Sequence, residues 1–128
     1  MSIIITKPDA QWYRKDKERG HLRFPNTKRI KIEKYPMGGI TQVKCKCNPI
    51  FIGRAEDNDI VLDEDYISNY HCKIFKKRFR WYIIDLESNH GTVLIRSRQR
   101  ITVTKEKPIK LEKHDNLELA GNIQLMIS

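Results

Sequence analysis

The sequence predicts an all-β fold, an antiparallel sandwich or barrel with few or short helices. Apolar and polar residues alternate in short segments, as in the run TQVKCKC at residues 41–47. Turn residues such as the PMGG of residues 36–39 and the Asn48-Pro49 pair separate these segments. No segment carries apolar residues at helical spacing over a sustained length. Many short alternating segments divided by turns are typical of all-β sandwiches and barrels.

The individual strands follow from the alternation, because successive side chains of a strand point to opposite faces of a sheet. Residues 43–47 alternate one valine and two cysteines with two lysines, and residues 81–86 read WYIIDL, which divides between two faces. The remaining predicted strands are residues 30–32, 50–52, 60–62, 72–74, 93–95, 101–103, 117–119 and 123–127.

The length and charge limit the class of protein. A chain of 128 residues is most simply one domain with a core of its own. Lys and Arg outnumber Asp and Glu by 25 to 16, which gives a net charge of +9. This excess favours an acidic partner, either nucleic acid, phosphorylated protein or an anionic membrane, and charge alone does not choose among them.

The first 26 residues differ from the rest. They are polar and charged around Trp12 and Tyr13, and we predict that residues 1–26 form an extension, either flexible or packed on the sandwich through Trp12. The opening run MSIIITKPDA is too short in apolar residues for a signal peptide or a transmembrane helix, so we expect an intracellular protein without a membrane partner.

The three cysteines predict free thiols in a reducing compartment. Cys45 and Cys47 are spaced too closely for a typical structural zinc site, which uses four ligands at wider spacing. In a strand both thiols point inward beside Val43, so core packing is the favoured interpretation. We therefore expect no metal and no cofactor.

Ser68 and His71 raise the question of nucleophilic catalysis. A catalytic serine needs a base, an orienting acid and an oxyanion hole, and the sequence contains no G-x-S-x-G turn. Residues three apart in a strand face opposite sides, so only a turn would bring the two side chains together. We predict that the protein is not an enzyme.

The motifs in order resemble the forkhead-associated (FHA) domain. A strand ends in Gly53-Arg54, Ser68-x-x-His71 follows after a loop, and then come Asp85-Leu86, Ser88 and the HGT of residues 90–92. The tail LEKHDNLEL is similar to the end of that family, with His114 where glycine is usual. The resemblance covers residues 27–128.

The resemblance implies a two-sheet antiparallel FHA-type β sandwich whose loops at one end bind a phosphothreonine peptide. It implies that Arg54, Ser68 and Asn69 contact the phosphate, because a guanidinium fork and short neutral donors suit its oxygens. It also implies that His71 faces inward. We assign structural support of the loops to Gly53, His71, Gly91 and Thr92.

One position departs from the family. The family has Asn-Gly where this chain has His90-Gly91, with Asn89 one residue earlier. We assign contact with the peptide backbone to Asn89 and His90, and three outcomes stay open. His90 substitutes for the asparagine, Asn89 takes its place through a shifted turn, or peptide binding is weakened or lost.

The function predicted from the sequence is recruitment of a phosphothreonine-containing protein, in nuclear, DNA-damage or cell-cycle signalling, with the nucleus preferred over the cytoplasm. One alternative is an assembly module that forms a homodimer or docks a protein. A second, less favoured alternative is a nucleic-acid-binding domain. The basic clusters KKRFR at residues 76–80 and RSRQR at residues 96–100 fit a solvated surface, acidic flanks of a peptide, or a nucleic-acid backbone.

Overall fold

A computed structural model describes residues 1–6, 22–37 and 40–128. These residues form strands and loops, and no helix occurs among them, so no described helix could cross a membrane. In chain order the strands are β1 (Ser2–Thr6), β2 (Leu22–Arg23), β3 (Ile30–Met37), β4 (Ile40–Cys45), β5 (Ile50–Gly53), β6 (Ile60–Leu62), β7 (Cys72–Lys77), β8 (Arg80–Asp85), β9 (Thr92–Arg96), β10 (Gln99–Thr102), β11 (Ile109–Lys110), β12 (Asn116–Leu119) and β13 (Ile123–Ile127).

The strands form two sheets. The larger sheet has the order β10-β9-β12-β13-β1-β4-β3, and the smaller sheet has the order β11-β8-β7-β5-β6-β2. The described pairs are antiparallel except β5 with β6, which run parallel over Ile52↔Ile60 and Gly53↔Val61. The predicted two-sheet FHA-type sandwich is confirmed, with this one parallel pair as an addition that alternation alone does not reveal.

The core lies between the two sheets, because alternate side chains of each strand point inward. In β7 the inward residues Cys72 and Ile74 are fully buried, whereas Lys73 and Phe75 lie on the outer face. The three cysteines are buried free thiols, as predicted. Burial, the largest cause, raises the pKa of the Cys45 thiol to about 12, so this thiol is un-ionised at neutral pH.

Part of the predicted N-terminal extension lies inside the sandwich. Strand β1 is paired with both β13 and β4 in the larger sheet, and Ile3 and Ile5 are fully buried. Strand β2 pairs with β6 at the edge of the smaller sheet. Both segments therefore belong to the sandwich rather than to a separate extension. Residues 7–21, which include Trp12 and Tyr13, lie outside the described residues.

Candidate functional site

Three loops meet at one end of the sandwich: residues 54–59 after β5, residues 63–71 before β7, and residues 86–91 between β8 and β9. Backbone hydrogen bonds join the first two loops. The Arg54 N–H donates to the Ser68 carbonyl at 3.0 Å, and the Ala55 N–H donates to the Asn69 carbonyl at 3.2 Å. The side chains of Arg54, Ser68 and Asn69 are therefore held beside one another by the main chain.

Gly53 allows this close approach. A Cβ built on Gly53 would lie 2.3 Å from the Asn69 carbonyl oxygen and 2.9 Å from its carbon, distances that side chains do not tolerate. The glycine is needed for space, because its backbone does not adopt a positive φ. Any side chain at this position would force the loop of residues 63–71 away from β5.

Asn58 is a supporting residue that the sequence analysis missed. Its side chain is almost fully buried, and its amide donates to the Ala55 and Asn69 carbonyls, both at 2.8 Å. The hydroxyl of Tyr70 also bridges the two loops, because it donates to the Asp57 carboxylate at about 2.9 Å. No local pattern in the sequence distinguishes Asn58 from an ordinary loop asparagine.

His71 links the second loop to the third. The ring is completely buried, and its Nδ1 accepts the Ser68 N–H at 3.2 Å. The protonated Nε2 therefore donates to the Gly91 carbonyl at 2.9 Å. Burial lowers the pKa of His71, which keeps the ring neutral with one accepting and one donating nitrogen.

The geometry does not form a Ser–His dyad. The Ser68 hydroxyl oxygen accepts the Asn89 N–H at 3.0 Å, while the His71 Nδ1 is occupied by the Ser68 main-chain N–H. The Ser68 hydroxyl therefore donates to no described residue and can donate to a ligand. Among the described residues, no group of three or more His, Cys, Asp or Glu side chains could hold a metal ion.

The third loop is fixed by Asp85, to which the sequence analysis assigned no role. One carboxylate oxygen accepts the Ser88 and Thr92 hydroxyls at 2.6 and 2.8 Å, and the other accepts the Ser88 N–H at 2.9 Å. The Ser88 hydroxyl oxygen accepts the Gly91 N–H at 3.1 Å. Gly91 has φ +84°, a conformation that glycine adopts without strain.

The exposed groups at this end suit an anion. Arg54 forms no ion pair with a described carboxylate, and its Nε is 3.4 Å from the Asn69 side-chain oxygen. The Asn69 N–H donates to no described residue. The side chains of Asn69, Asn89 and His90 are exposed beside them. A guanidinium, a hydroxyl and a free N–H thus face solvent together.

The model of the FHA domain family matches residues 50–120, more than half of the chain, and the chain therefore belongs to this family. The FHA domain is a phosphopeptide-binding module, so the class of protein is an interaction module.

Curated relatives with a similar sequence are mycobacterial. The chain is 36% identical over 69 residues to the FHA domain-containing protein FhaB of Mycolicibacterium smegmatis. This match covers 54% of this chain and 43% of that protein. It is 39% identical over 61 residues to FhaB of Mycobacterium tuberculosis, covering 48% of this chain and 38% of that protein. The matched part is less than half the length of either relative.

Solved structures share the fold over most of the chain. The FHA domain of a hypothetical protein from Arabidopsis thaliana has a TM-score of 0.61 and 19% identity, covering 99% of this chain and 86% of that one. The MEK1 FHA domain, solved with a phosphothreonine peptide of HOP1, has a TM-score of 0.54 and 23% identity, covering 77% and 94%. At these identities the likeness concerns the fold.

Proposed function

We propose that the protein binds a phosphothreonine peptide of a partner protein and recruits that partner without catalysing a reaction. The observation that carries the proposal is the backbone pairing of residues 54–55 with residues 68–69, which places Arg54, Ser68 and Asn69 side by side. The MEK1 FHA domain, solved with a phosphothreonine peptide, supports this choice of ligand.

The phosphate would lie against these three residues. A phosphothreonine carries roughly −1.5 to −2 charges and three acceptor oxygens. Arg54 supplies a guanidinium with no described carboxylate partner, which leaves its donors available for two phosphate oxygens. The Ser68 hydroxyl and the Asn69 N–H supply neutral donors for the remaining acceptor sites.

The peptide backbone would lie against the third loop. The Asn89 N–H is bonded to the Ser68 hydroxyl oxygen, so the residues that follow Ser88 are adjacent to the phosphate position. The His90 side chain is exposed and forms no hydrogen bond with a described residue, and we infer that it takes the role of the family asparagine. In this proposal Asn89 does not replace the family asparagine and lies next to His90.

Fluorescence polarisation with a degenerate phosphothreonine peptide library tests the proposal, with phosphoserine and unphosphorylated libraries as comparators. We expect binding that requires phosphothreonine. Arg54→Ala should weaken binding by about 2–5 kcal/mol, since a strong anion then lacks its main partner. Arg98→Ala is the matched control, because it removes an equal charge from the β9–β10 turn at the opposite end of the sandwich. Equal affinities of Arg54→Ala and wild type would exclude this site.

The role of His90 has its own test in the same assay. His90→Ala removes an exposed side chain that forms no hydrogen bond with a described residue, so stability should be nearly unchanged. Peptide affinity should fall by about 0.5–1.5 kcal/mol, the contribution of one hydrogen bond. An unchanged affinity of His90→Ala, with a loss in Asn89→Ala, would assign the backbone contact to Asn89 instead.

Binding to no peptide in any phosphorylation state would leave the family and fold as they are. That result would favour the alternative function, assembly through a homodimer, which light scattering would detect. The nuclear signalling context stays a prediction, since the curated relatives are mycobacterial proteins and support recognition of a phosphorylated partner without indicating a nucleus.

A further inference from the structure

The two basic clusters differ in how many of their cations form ion pairs with carboxylates. In the cluster of residues 96–100, Arg96 is bonded to Asp115 at 2.6 Å and Arg100 to Glu118 at 2.7 Å. In the cluster of residues 76–80, by contrast, no cation forms an ion pair with a described carboxylate. The first cluster is largely structural, and the second keeps its charge on the surface.

The second cluster continues onto the outer face of the smaller sheet. Paired residues of neighbouring strands place their side chains on the same face. Phe75 pairs with Tyr82, Lys77 with Arg80, and Lys110 with Tyr82. We call this surface the basic aromatic face, and it consists of Lys73, Phe75, Lys77, Arg80, Tyr82 and Lys110.

The aromatic rings of this face are partly buried and pack against each other. Phe75 and Tyr82 are stacked with their centroids 5.7 Å apart and an angle of 22° between the rings. The Lys73 ammonium lies 5.5 Å from the centre of the Phe75 ring. A cleft of about 370 Å³ next to the stacked pair is lined by Phe75, Lys77, Arg78, Tyr82 and Pro108, a volume within the ~300–1,000 Å³ of small-ligand sites.

The turn between β7 and β8 extends this surface. Phe79 is 90% exposed, the highest exposure of a large apolar side chain among the described residues. Arg78 and Phe79 have φ values of 51° and 66°, where residues other than glycine are strained by roughly 1–3 kcal/mol each. Such turns normally use Asn-Gly. Ser97 and Arg98 in the β9–β10 turn have similar φ values, so the exposed phenylalanine between two arginines is what distinguishes the β7–β8 tip.

We propose that the basic aromatic face, together with Arg78 and Phe79, binds single-stranded nucleic acid. Bases stack on Phe79 and on the Tyr82 ring beside the cleft, and the unpaired cations contact the backbone phosphates, the combination that single-strand binders use. The site is separate from the proposed phosphopeptide site, because β7 runs from the residue after His71 to the turn at the opposite end of the hairpin.

Charge and shape favour a nucleic acid over a membrane. The outer face of this hairpin presents flat ring surfaces between cations, which suits bases joined by phosphates. Phe79 is the one exposed large apolar residue of the tip at residues 77–80, and Arg78 and Arg80 flank it directly. A tip that enters a lipid bilayer needs more apolar area than one phenylalanine between two arginines.

The test measures fluorescence anisotropy of a labelled oligothymidylate and a labelled oligouridylate of about 15 nucleotides, a length suited to one single-strand site. Both lack terminal phosphates, so that the phosphopeptide site has no monoester to bind. We expect saturable binding whose log K falls with log salt at a slope of about −3.5, from five cations at ~0.7 each. A duplex of the same length should bind more weakly, because its bases are not free to stack.

Two variant sets locate the site. Lys77→Glu with Arg80→Glu reverses a facing pair on the basic aromatic face, and should lower affinity by at least about 10-fold and the salt slope by about 1.4. Lys31→Glu with Lys44→Glu reverses a facing pair on β3 and β4 with the same change in charge, and should keep the wild-type slope.

Phe79 tests the stacking contribution separately from charge. Phe79→Ala should lower affinity by about 5-fold or more, the loss of one stacked base, and Phe79→Trp should restore it. Neither change should alter phosphopeptide binding or stability, because the side chain is exposed and distant from the three loops.

Three results would overturn the proposal. The first is absence of oligonucleotide binding at low salt. The second is an equal loss in the two double variants, which would indicate attraction to net charge alone. The third is tighter binding, through Phe79, to vesicles containing phosphatidylserine or to polyglutamate than to either oligonucleotide, which would assign the face to a membrane or to an acidic protein.

Discussion

Replacement of Gly53 by alanine tests whether close packing of two loops builds the site. The added Cβ would lie 2.3 Å from the Asn69 carbonyl oxygen, whereas ordinary contact begins at 3.4 Å. The loop must therefore retreat by about 1 Å, since the obstacle is main chain and β5 is held on both sides. This displacement exceeds the ~0.5 Å within which a binding constellation must be held.

The expected cost follows from the contacts that are lost. Overpacking costs typically 1–3 kcal/mol. The retreat also stretches the hydrogen bonds from Arg54 and Ala55 to the second loop, and an unsatisfied buried donor costs about 1–3 kcal/mol. Alanine also lowers the conformational entropy of the unfolded chain, which offsets about 0.4–1 kcal/mol of this loss. We expect the free energy of unfolding to fall by about 2–4 kcal/mol.

Urea unfolding followed by tryptophan fluorescence measures the stability, and fluorescence polarisation measures phosphopeptide affinity, which should fall at least about 10-fold. Gly121→Ala is the control, because Gly121 lies outside the three loops. Gly121 has positive φ but open space around a Cβ, so alanine should cost about 1–2 kcal/mol through backbone strain alone. A Gly53→Ala protein with wild-type stability and affinity would refute the close-packing argument.

Further changes probe the buried polar contacts of the sandwich. Asp85→Asn should lower the free energy of unfolding by about 2–4 kcal/mol, because it disrupts a nearly buried acceptor of three hydrogen bonds, and Thr92→Val, which removes one donor, by about 1 kcal/mol. Burial lowers the pKa of His71 below its usual 6.5, so the unfolded chain binds the proton more readily. The contribution of neutral His71 to the free energy of unfolding should be complete above pH ~6.5. It should decrease as the pH drops below that value, by up to ~1.4 kcal/mol per pH unit, which urea titrations at several pH values would measure. Arg96→Ala should cost about 2–4 kcal/mol in urea unfolding, because it leaves the buried Asp115 carboxylate without its cation.

The pH dependence assigned to His71 and the Arg96→Ala prediction each have a matched control. His114→Gln should keep the loss of stability at low pH, and a variant in which that loss disappears would contradict the assignment to His71. Arg98→Ala removes an exposed turn arginine without a described ion pair and should change stability by less than ~0.5 kcal/mol. If Arg98→Ala and Arg96→Ala were equally stable, the ion pair to Asp115 would carry no structural role.

The inner faces of the strands could be predicted from the sequence, because a period of two is a local property. Alternation in residues 43–47 placed two cysteines inward, and both are buried. Strand β1 was not predicted, because three consecutive isoleucines do not alternate and the following residues are polar. Its position between β4 and β13 depends on pairing with residues far along the chain, which a local pattern does not contain.

The loops show the same division between local and distant information. The order of motifs identified Arg54, Ser68 and His71 as candidates. That the His71 ring accepts one loop's N–H and donates to another loop's carbonyl depends on three-dimensional placement. Asn58 had no local signal at all, since its partners are carbonyl groups, which every residue type carries.

The net charge becomes informative only when acidic residues are located. Several arginines lie against carboxylates and so contribute little field to the surface; these are Arg23, Arg29, Arg96 and Arg100. Others meet no described carboxylate, among them Arg54, Arg78 and Arg80. The first of these lies among the loop donors, and the other two flank the exposed Phe79 ring. The proposed anion sites are therefore located by where described carboxylates are missing, which is why the charge of the chain, taken alone, could not distinguish a phosphopeptide from a nucleic acid.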